Sequence, residues 1–554
     1  MLIPQIWLSA KEYSWSQFRA DLGAGLVVGL VALPLAMAFA IASGLGPERG
    51  LYTAVVAGFL ISALGGSRVQ IGGPTGAFVV IVAGIVSTYG YNGLVLATLM
   101  AGVMLVVMGL SQLGSMVKFI PYPVITGFTS GIAVIIFSSQ IKDFLGLQME
   151  AVPADFLEKW AAYARTLSTV NYWALGAALF TTLCIGLWPK RWQRVPGSIV
   201  ALVTVSAVVA ALDLPLETIQ SRFGGVPHGL PAPSWPQWSW MEVKALLPSA
   251  FTVALLASIE SLLSAVVADG MIGGRHNSNM ELIAQGVANL VSPIFGGMPA
   301  TGAIARTATN VKNGGRTPVA GMIHAVVLLV ILLAAGNLAA HIPLACLAGV
   351  LVIVSYHMSE WRSFKSIFLG PRSDVVVLLI TFFLTVLIDL TVAVEVGMVM
   401  AAFLFMKNMA DLTQVRTLTR EPASEDFGEP SRTAGPSTAD RSTVGWPEDV
   451  QVFSIQGSFF FGAANKLLEV LRIMSKPPRV LVLEMRGVLH MDATGLRVMD
   501  QVYHDCRHRG IRLMIVGIHT QPFLVMEKAN KFKEFGEENF KESMEECLEA
   551  LNAG

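Results

Sequence analysis

The sequence predicts an all-α polytopic membrane domain followed by a small α/β domain. Three observations carry this prediction. Of 554 residues, 54% are hydrophobic and only 14% charged, whereas an ordinary soluble domain has about 25% charged residues. Apolar stretches recur from residue 22 to residue 410, and a membrane span needs about 20 apolar residues. Beyond residue 447 the pattern changes to strands alternating with amphipathic helices, the mark of a compact α/β unit.

Residues 1–20 mix Trp7, Tyr13, Trp15 and Phe18 with Lys11, Glu12 and Arg19, which suits a helix at the membrane surface. Membrane segments are expected at 22–43, 50–64, 72–88, 93–116, 122–145, 172–188, 196–213, 247–270, 281–296, 301–311, 317–338, 343–358, 374–391 and 393–410. These are fourteen segments, seven in each half of a domain covering 21–412. An odd number per half inserts the second half upside down, giving a 7+7 inverted repeat. Residues 413–447 are rich in Glu, Asp, Ser, Thr, Pro and Gly and read as a linker. Within the terminal domain, 448–554, strands are expected at 450–455, 479–483 and 511–516, with an apolar Phe459–Phe461. Helices are expected there at 463–474, 496–509, 522–529 and 541–551.

Loop charge sets the orientation. With a cytoplasmic N-terminus, the inside loops hold Arg68, Lys118, Lys190, Arg191, Arg194, Arg275, Lys312, Arg316, Arg362, Lys365, Arg372 and Lys407. The short outside loops hold no Lys or Arg except Arg49. Both termini are therefore expected in the cytoplasm. Net charge is zero, which points to no nucleic-acid partner. The four cysteines, Cys184, Cys346, Cys506 and Cys547, show neither metal-ligand spacing nor a disulfide framework. There is no Walker-type phosphate loop and no His-Glu-x-x-His pair, so neither ATP hydrolysis nor metal catalysis is expected. The reading is of a non-enzyme with no cofactor, driven by a gradient.

One phrase occurs twice, once in each half. Gly72-Gly73-Pro74-Thr75-Gly76-Ala77 opens one short segment, and Gly296-Gly297-Met298-Pro299-Ala300-Thr301-Gly302-Ala303 opens another. Interrupted helices at matching places in two halves point to a binding site near the bilayer midplane. Helix starts expose free N–H groups and a positive dipole end, so two of them aimed at one point favour a small anion. Gly73, Pro74, Thr75, Gly76 and Ala77, with Thr301, Gly302, Ala303, Ala305 and Arg306, are the candidate binding residues. Arg306, one turn into the second short helix, either attracts the anion or pairs with a buried carboxylate.

Glu260 lies mid-span, where a carboxylate is costly and marks function by default. It is the candidate site for a coupling proton, with a permanent ion pair to Arg306 as the alternative. Ser264, one turn on, is placed to bond Glu260 or line the site. Asp269 lies nearer the cytoplasmic end, and Asp389 and Glu395 flank an outside turn. His324 reads as a satisfied core residue. Pro34 should kink the first span, beyond which Leu35 and Phe39 either wall the site or pack the core. In the terminal domain Asp492 is a candidate helix cap and Thr494, in the first turn, a candidate regulatory site.

The run Pro34-Leu35-Ala36-Met37-Ala38-Phe39-Ala40-Ile41-Ala42-Ser43-Gly44, with Pro47 and Gly50-Leu51-Tyr52, resembles the signature of the SulP/SLC26 anion transporter family. Asp492-Ala493-Thr494-Gly495 resembles the loop of that family's cytoplasmic STAS domain. The resemblance implies division of the membrane domain into core and gate, elevator-like alternating access and a homodimer. It also implies a cation-coupling acid at Glu260, and Glu in place of Asp suggests protons ahead of sodium. Leu51-Tyr52-Thr53-Ala54, residues 140–148 and Ala303-Ile304-Ala305-Arg306 are similar to a bacterial C4-dicarboxylate carrier type within the family. That places succinate or fumarate ahead of sulfate and bicarbonate, with an anion exchanger or a membrane-tethered signalling module as the alternatives.

Overall fold

The computed structural model of the chain describes residues 2–552 apart from 12, 116–119, 150–151, 154, 190–194, 228, 419–445, 448, 461–465 and 469–476. The expected inside charges Lys118, Lys190, Arg191 and Arg194, and most of the expected helix 463–474, lie outside these residues. Two compact units emerge, Met1–Ala401 and Ala402–Gly554.

In the first unit a short helix α1 (Gln5–Ala10) precedes α2 (Trp15–Ala42), whose N-cap Ser14 accepts from Gln17 N. The first span thus begins at Trp15, inside the stretch expected to lie along the membrane surface. Helix α2 continues through Pro34 as one element. After α3 (Pro47–Leu64), β1 (Gly72–Gly73) leads into α4 (Ala77–Leu110). Helix α4 is two expected segments joined at Gly90, whose φ of 68° and ψ of −173° break the helix. A residue with a Cβ is strained in that conformation, so glycine is what permits the break.

Next come α5 (Tyr122–Leu145), α6 (Phe156–Thr166), α7 (Tyr172–Gly186), α8 (Gly197–Leu212) and a short α9 (Ile219–Phe223). The second half opens with α10 (Trp240–Ile272), started by a capping box between Ser239 and Glu242 and ended by Gly273 in the left-handed region. Then follow α11 (Ser278–Val291), β2 (Thr301–Gly302) and the nine-residue α12 (Ile304–Lys312). Helices α13 (Pro318–Ala340), α14 (Leu344–Met358), α15 (Trp361–Ile367), α16 (Arg372–Leu387) and α17 (Leu390–Leu412) complete the membrane part. Among the described residues seven helical stretches are long and apolar enough to cross a membrane, one of them the run of α14 and α15 over Leu344–Ile367. The others are the shorter segments that an interrupted architecture contains.

Two packing groups divide this unit. Helices α2, α3, α4, α10, α11, α12 and α13 pack among themselves, as do α5, α7, α8, α14 and α16. The contacts are reciprocal between halves. The pair α2–α3 matches α10–α11, α3–α13 matches α11–α4, and α5–α16 matches α14–α7. This reciprocity is what an inverted repeat requires, and the two groups are its core and gate.

In the second unit five strands form one sheet in the order β3 (Gln414–Thr417), β4 (Val450–Gln456), β5 (Val480–Gly487), β6 (Arg512–Val516), β7 (Phe540–Lys541). Strand β3 is antiparallel to β4, and the other neighbours are parallel. The helices are α18 (Ala493–His508), α19 (Thr520–Lys528), α20 (Lys531–Phe535) and α21 (Met544–Asn552). Two expectations are corrected here. Residues 414–417, assigned to the linker, form an edge strand; Val415 packs on the core while its neighbours face outward, a pattern too short to stand out in sequence. Phe540–Lys541 pairs with β6 and is not the start of the last helix, which begins at Met544.

All four cysteines are free thiols. Burial pushes the thiols of Cys506 and Cys547 up to about 11, and both are at least 95% covered in the α/β core. The thiolate is the nucleophile. The native protein at pH 7 should therefore leave Cys506 and Cys547 unmodified by maleimide, with labelling only after denaturation. Mass spectrometry of tryptic fragments reads the outcome, and prompt native labelling would show the core to be open.

Candidate functional site

The two copies of the repeated phrase meet. Strand β1 pairs antiparallel with β2, Gly72 opposite Gly302 and Gly73 opposite Thr301. Ala303 N donates to the Ile71 carbonyl at 2.8 Å and extends the ladder. Backbone polar groups at membrane depth must be satisfied within the protein, and this pairing satisfies those of both interruptions. Immediately past the strands, α4 starts at Ala77 and α12 at Ile304. Both helix starts therefore originate from one two-stranded crossing.

Close approach explains the glycines. A Cβ on Gly73, whose φ is +152°, would stand 2.5 Å from Arg306 Nη1. A Cβ on Gly302 would collide with Gln70 Nε2. Gly76 leaves room for the Met358 sulfur from the gate group, 2.5 Å from where its Cβ would be.

Helix α10 runs beside the crossing and is tied to it at four positions in sequence. The Ala257 carbonyl accepts from Thr301 Oγ1 at 2.8 Å. Glu260 Oε2 accepts from Thr75 Oγ1 at 2.7 Å. Ser261 takes Gln70 Nε2 on its hydroxyl at 3.0 Å and on its carbonyl at 3.2 Å. Ser264 Oγ bonds Thr307 Oγ1 at 3.1 Å, and Thr307 Oγ1 also accepts from Ile71 N at 3.1 Å. Ser264 therefore joins α12 and does not bond Glu260, one of the two roles the sequence left open.

Arg306 is 2% exposed, and its Nη2 donates to the Pro74 carbonyl at 2.8 Å. Among the described residues neither Arg306 nor Glu260 forms an ion pair, so the expected alternative of a salt bridge between them is not what holds either group. Arg306 instead fastens α12 to the loop before α4, where its charge adds to that of both helix starts. Glu260 is half-buried. Of the second phrase, Thr301, Gly302 and Ala303 are buried while Ala305 is exposed, as is Ile304 at 40%. The first phrase, Gly73 to Ala77, is buried throughout. On α2, which packs against α12, Leu35 is half-buried and Phe39 buried.

Other expectations resolve separately. Asp269 accepts from His276 at its backbone N and pairs with its ring Nδ1 at 2.7 Å. His324 is fully buried, but neither ring nitrogen has a hydrogen-bond partner of good geometry among the described residues, so it is not the satisfied core histidine expected. In the second unit Asp492 caps α18 by accepting from Gly495 N at 2.7 Å, and Thr494 is half-buried in the first turn. Asp500, His504 and Glu534 are close enough to suggest a cation site. The Lys531 ammonium already lies 2.6 Å from Asp500 and 2.8 Å from Glu534, and those bonds raise its pKa.

Sequence reasoning missed several residues that build the site. Glu281, fully buried on α11, accepts from Gly66 N at 2.9 Å and Ser67 N at 3.1 Å. Asn289 holds Ala300 by both backbone groups, N to Oδ1 at 2.9 Å and Nδ2 to O at 2.8 Å. At the opposite end Arg49 Nη1 donates to the Gly296 carbonyl at 3.0 Å, Tyr91 to that of Gly297 at 2.9 Å, and Thr53 Oγ1 accepts from Met298 N at 2.7 Å. The available signal was the spacing of Glu281, Gln285 and Asn289, which repeats every four residues and marks one polar helix face.

Two interrupted helices crossing inside an inverted repeat, one of them beside an intramembrane carboxylate, define the class of membrane carriers that bind an ion at broken helices. The chain belongs to the sulfate permease family, whose model matches residues 18–381, and the STAS domain model matches 446–547. It is 42% identical over 533 residues to a putative sulfate transporter, YvdB, of Bacillus subtilis, covering 96% of this chain and 97% of that protein. It is 32% identical over 550 residues to the bicarbonate transporter BicA of Picosynechococcus sp., covering 97% and 95%. Its fold is similar to that of the murine Slc26a9 anion transporter in the inward-facing state, at a TM-score of 0.87, 17% identity and coverage of 100% and 94%. The chain is thus a multi-pass membrane anion transporter of this family with a C-terminal STAS domain.

Gly302→Ala should displace Gln70 from beneath the crossing, with an overpacking cost on the order of 1–3 kcal/mol. The expected result is loss of anion uptake in proteoliposomes with the protein still monodisperse in detergent, whereas Gly84→Ala, which meets no atom within 4 Å, leaves uptake intact. Equal uptake by the two variants would contradict the packing assigned to Gly302.

Proposed function

We propose that the protein is a proton-coupled importer of a small oxyanion or short dicarboxylate, working by movement of the core group against the gate group. The observation that carries this reading is the 2.7 Å bond from Thr75 to Glu260 beside the paired helix starts. The substrate binds between the starts of α4 and α12, where Gly76, Ala77 and Ala305 present backbone N–H groups and Gly73, Pro74, Thr75, Thr301, Gly302 and Ala303 line the approach with compact side chains or none. Arg306 contributes charge from behind. Leu35 and Phe39 form the apolar wall.

Glu260 has no cationic partner to neutralise it among the described residues. An uncompensated carboxylate at membrane depth costs several kcal/mol. A proton, or less readily sodium, removes that cost, while the anion neutralises the helix starts. Loading both together leaves the core with the least uncompensated charge, and this links their movements. The likeness to a sulfate and a bicarbonate transporter supports counting these two anions with succinate and fumarate as candidate substrates. The proposal includes a homodimer in the bacterial inner membrane with both termini cytoplasmic, and Thr494 as a regulatory position on the STAS domain.

The test is radiolabelled uptake into proteoliposomes for sulfate, bicarbonate, succinate and fumarate, with and without an inward proton gradient. Lowering the external pH should stimulate uptake of at least one of the four. Glu260→Gln should abolish that stimulation, either by stopping uptake or by leaving it independent of pH. Stimulation that persists in this variant rejects Glu260 as the coupling group. A chain lacking residues 440–554 should still transport; if it does not, while still inserting in the membrane, the signalling-module reading gains ground.

A further inference from the structure

We propose that Gln70 and Glu281 are positioning residues that lock α10 to the first interrupted helix and so hold Glu260 opposite Thr75. The inference rests on the coupling role given to Glu260 above.

The tether from α3 to α4 is held to α12 where Ile71 N meets Thr307 and the Val69 carbonyl meets Asn310, and two further side chains fix it to α10 and α11. Gly65 and Gly66 leave α3 without side chains to anchor it, and only Gly72 and Gly73 enter the strand pairing. Glu281 supplies the first anchor. Its Oε2 takes the Gly66 and Ser67 amides at 2.9 and 3.1 Å. Its Oε1 takes Gln285 Nε2 at 2.9 Å and the Ser261 hydroxyl at 3.3 Å. Gln70 supplies the second anchor, with Nε2 on both polar groups of Ser261.

The three side chains form a directed relay, since Gln70 donates to Ser261 and Ser261 donates to Glu281. Every member is at most 3% exposed. In so dry a place an ionised carboxylate at the end of a donor chain fixes the direction of every bond, because it can only accept. The relay passes through Ser261, the residue after Glu260, and ends on Glu281. Through it α11 and the tether grip α10 at the point where the coupling acid projects. The same geometry makes Gln70 the floor beneath Gly302, where any side chain would collide with its amide. One glutamine therefore registers both interrupted segments against α10.

Gln70→Leu removes both bonds to Ser261 and leaves the four bonds of Glu281 intact, so the variant should fold; Glu281→Gln places an amide donor among donors and serves as the harsher probe. The half-saturating anion concentration of Gln70→Leu should rise about tenfold with maximal uptake within about twofold of the native value, the loss expected of a net hydrogen bond or two. In a Thr75→Ala background the same substitution should shift half-saturation less than about twofold, because the contact it positions is already gone. Effects that multiply in the double variant overturn the proposal and leave Gln70 a stabilising residue only. A second readout needs no transport. A cryo-electron microscopy structure of Gln70→Leu in lipid nanodiscs should show Thr75 Oγ1 beyond hydrogen-bond reach of Glu260, and a retained bond overturns the proposal. Failure here is separable from failure of the carrier reading, which only the uptake panel rejects.

Discussion

The antiparallel meeting of Gly72–Gly73 with Thr301–Gly302 is the constraint on which the membrane domain depends. Lipid offers no hydrogen bonds, so a chain that stops being helical at membrane depth has to pair its amides and carbonyls within the protein. Two interruptions, one from each half, solve the problem for each other. The solution has a geometric consequence, because two helices then start from one place with their free N–H groups exposed. It also has an electrostatic one. Two positive dipole ends and Arg306 lie close together in a medium of low dielectric, and that arrangement asks for negative charge.

Helix α10 makes the crossing rigid. Its Ala257 carbonyl, Glu260, Ser261 and Ser264 each hold a different part of the two interrupted segments. Side chains from the two halves grip the opposite half's entry loop in turn. Glu281 of the second half holds Gly66 and Ser67 of the first, and Arg49, Thr53 and Tyr91 of the first half hold Gly296 to Met298 of the second. The two grips use opposite chemistry, a carboxylate on amides in one and a guanidinium and hydroxyls largely on backbone carbonyls in the other. A core fastened at so many points holds both helix starts in one fixed relation.

Much of this was legible in the residue pattern, for physical reasons. Long apolar runs report spans because bilayer thickness fixes their length, and the duplicated glycine- and proline-broken phrase reports interruption because those residues stop helices. Glu260 stood out because it is a carboxylate surrounded by apolar residues. What was not legible depends on pairing across long stretches of chain. Ser264 shares a helix face with Glu260, yet it bonds Thr307, a choice that only the path of α12 decides. Arg306 reads in sequence as attracting the anion or pairing with a buried carboxylate, and only the folded path of the chain reveals its bond to the Pro74 carbonyl. Strand β3 was hidden because four residues carry too little periodicity to separate them from a polar linker.

The central claim is that both helix starts share one bound anion. It is tested most directly by a density map of the protein in nanodiscs with saturating substrate, chosen as the anion best taken up. The account predicts density for the anion between the amides at the start of α4, near Gly76 and Ala77, and those at the start of α12, near Ile304 and Ala305. Density lodged elsewhere in the membrane domain, with these amides left empty, would contradict it.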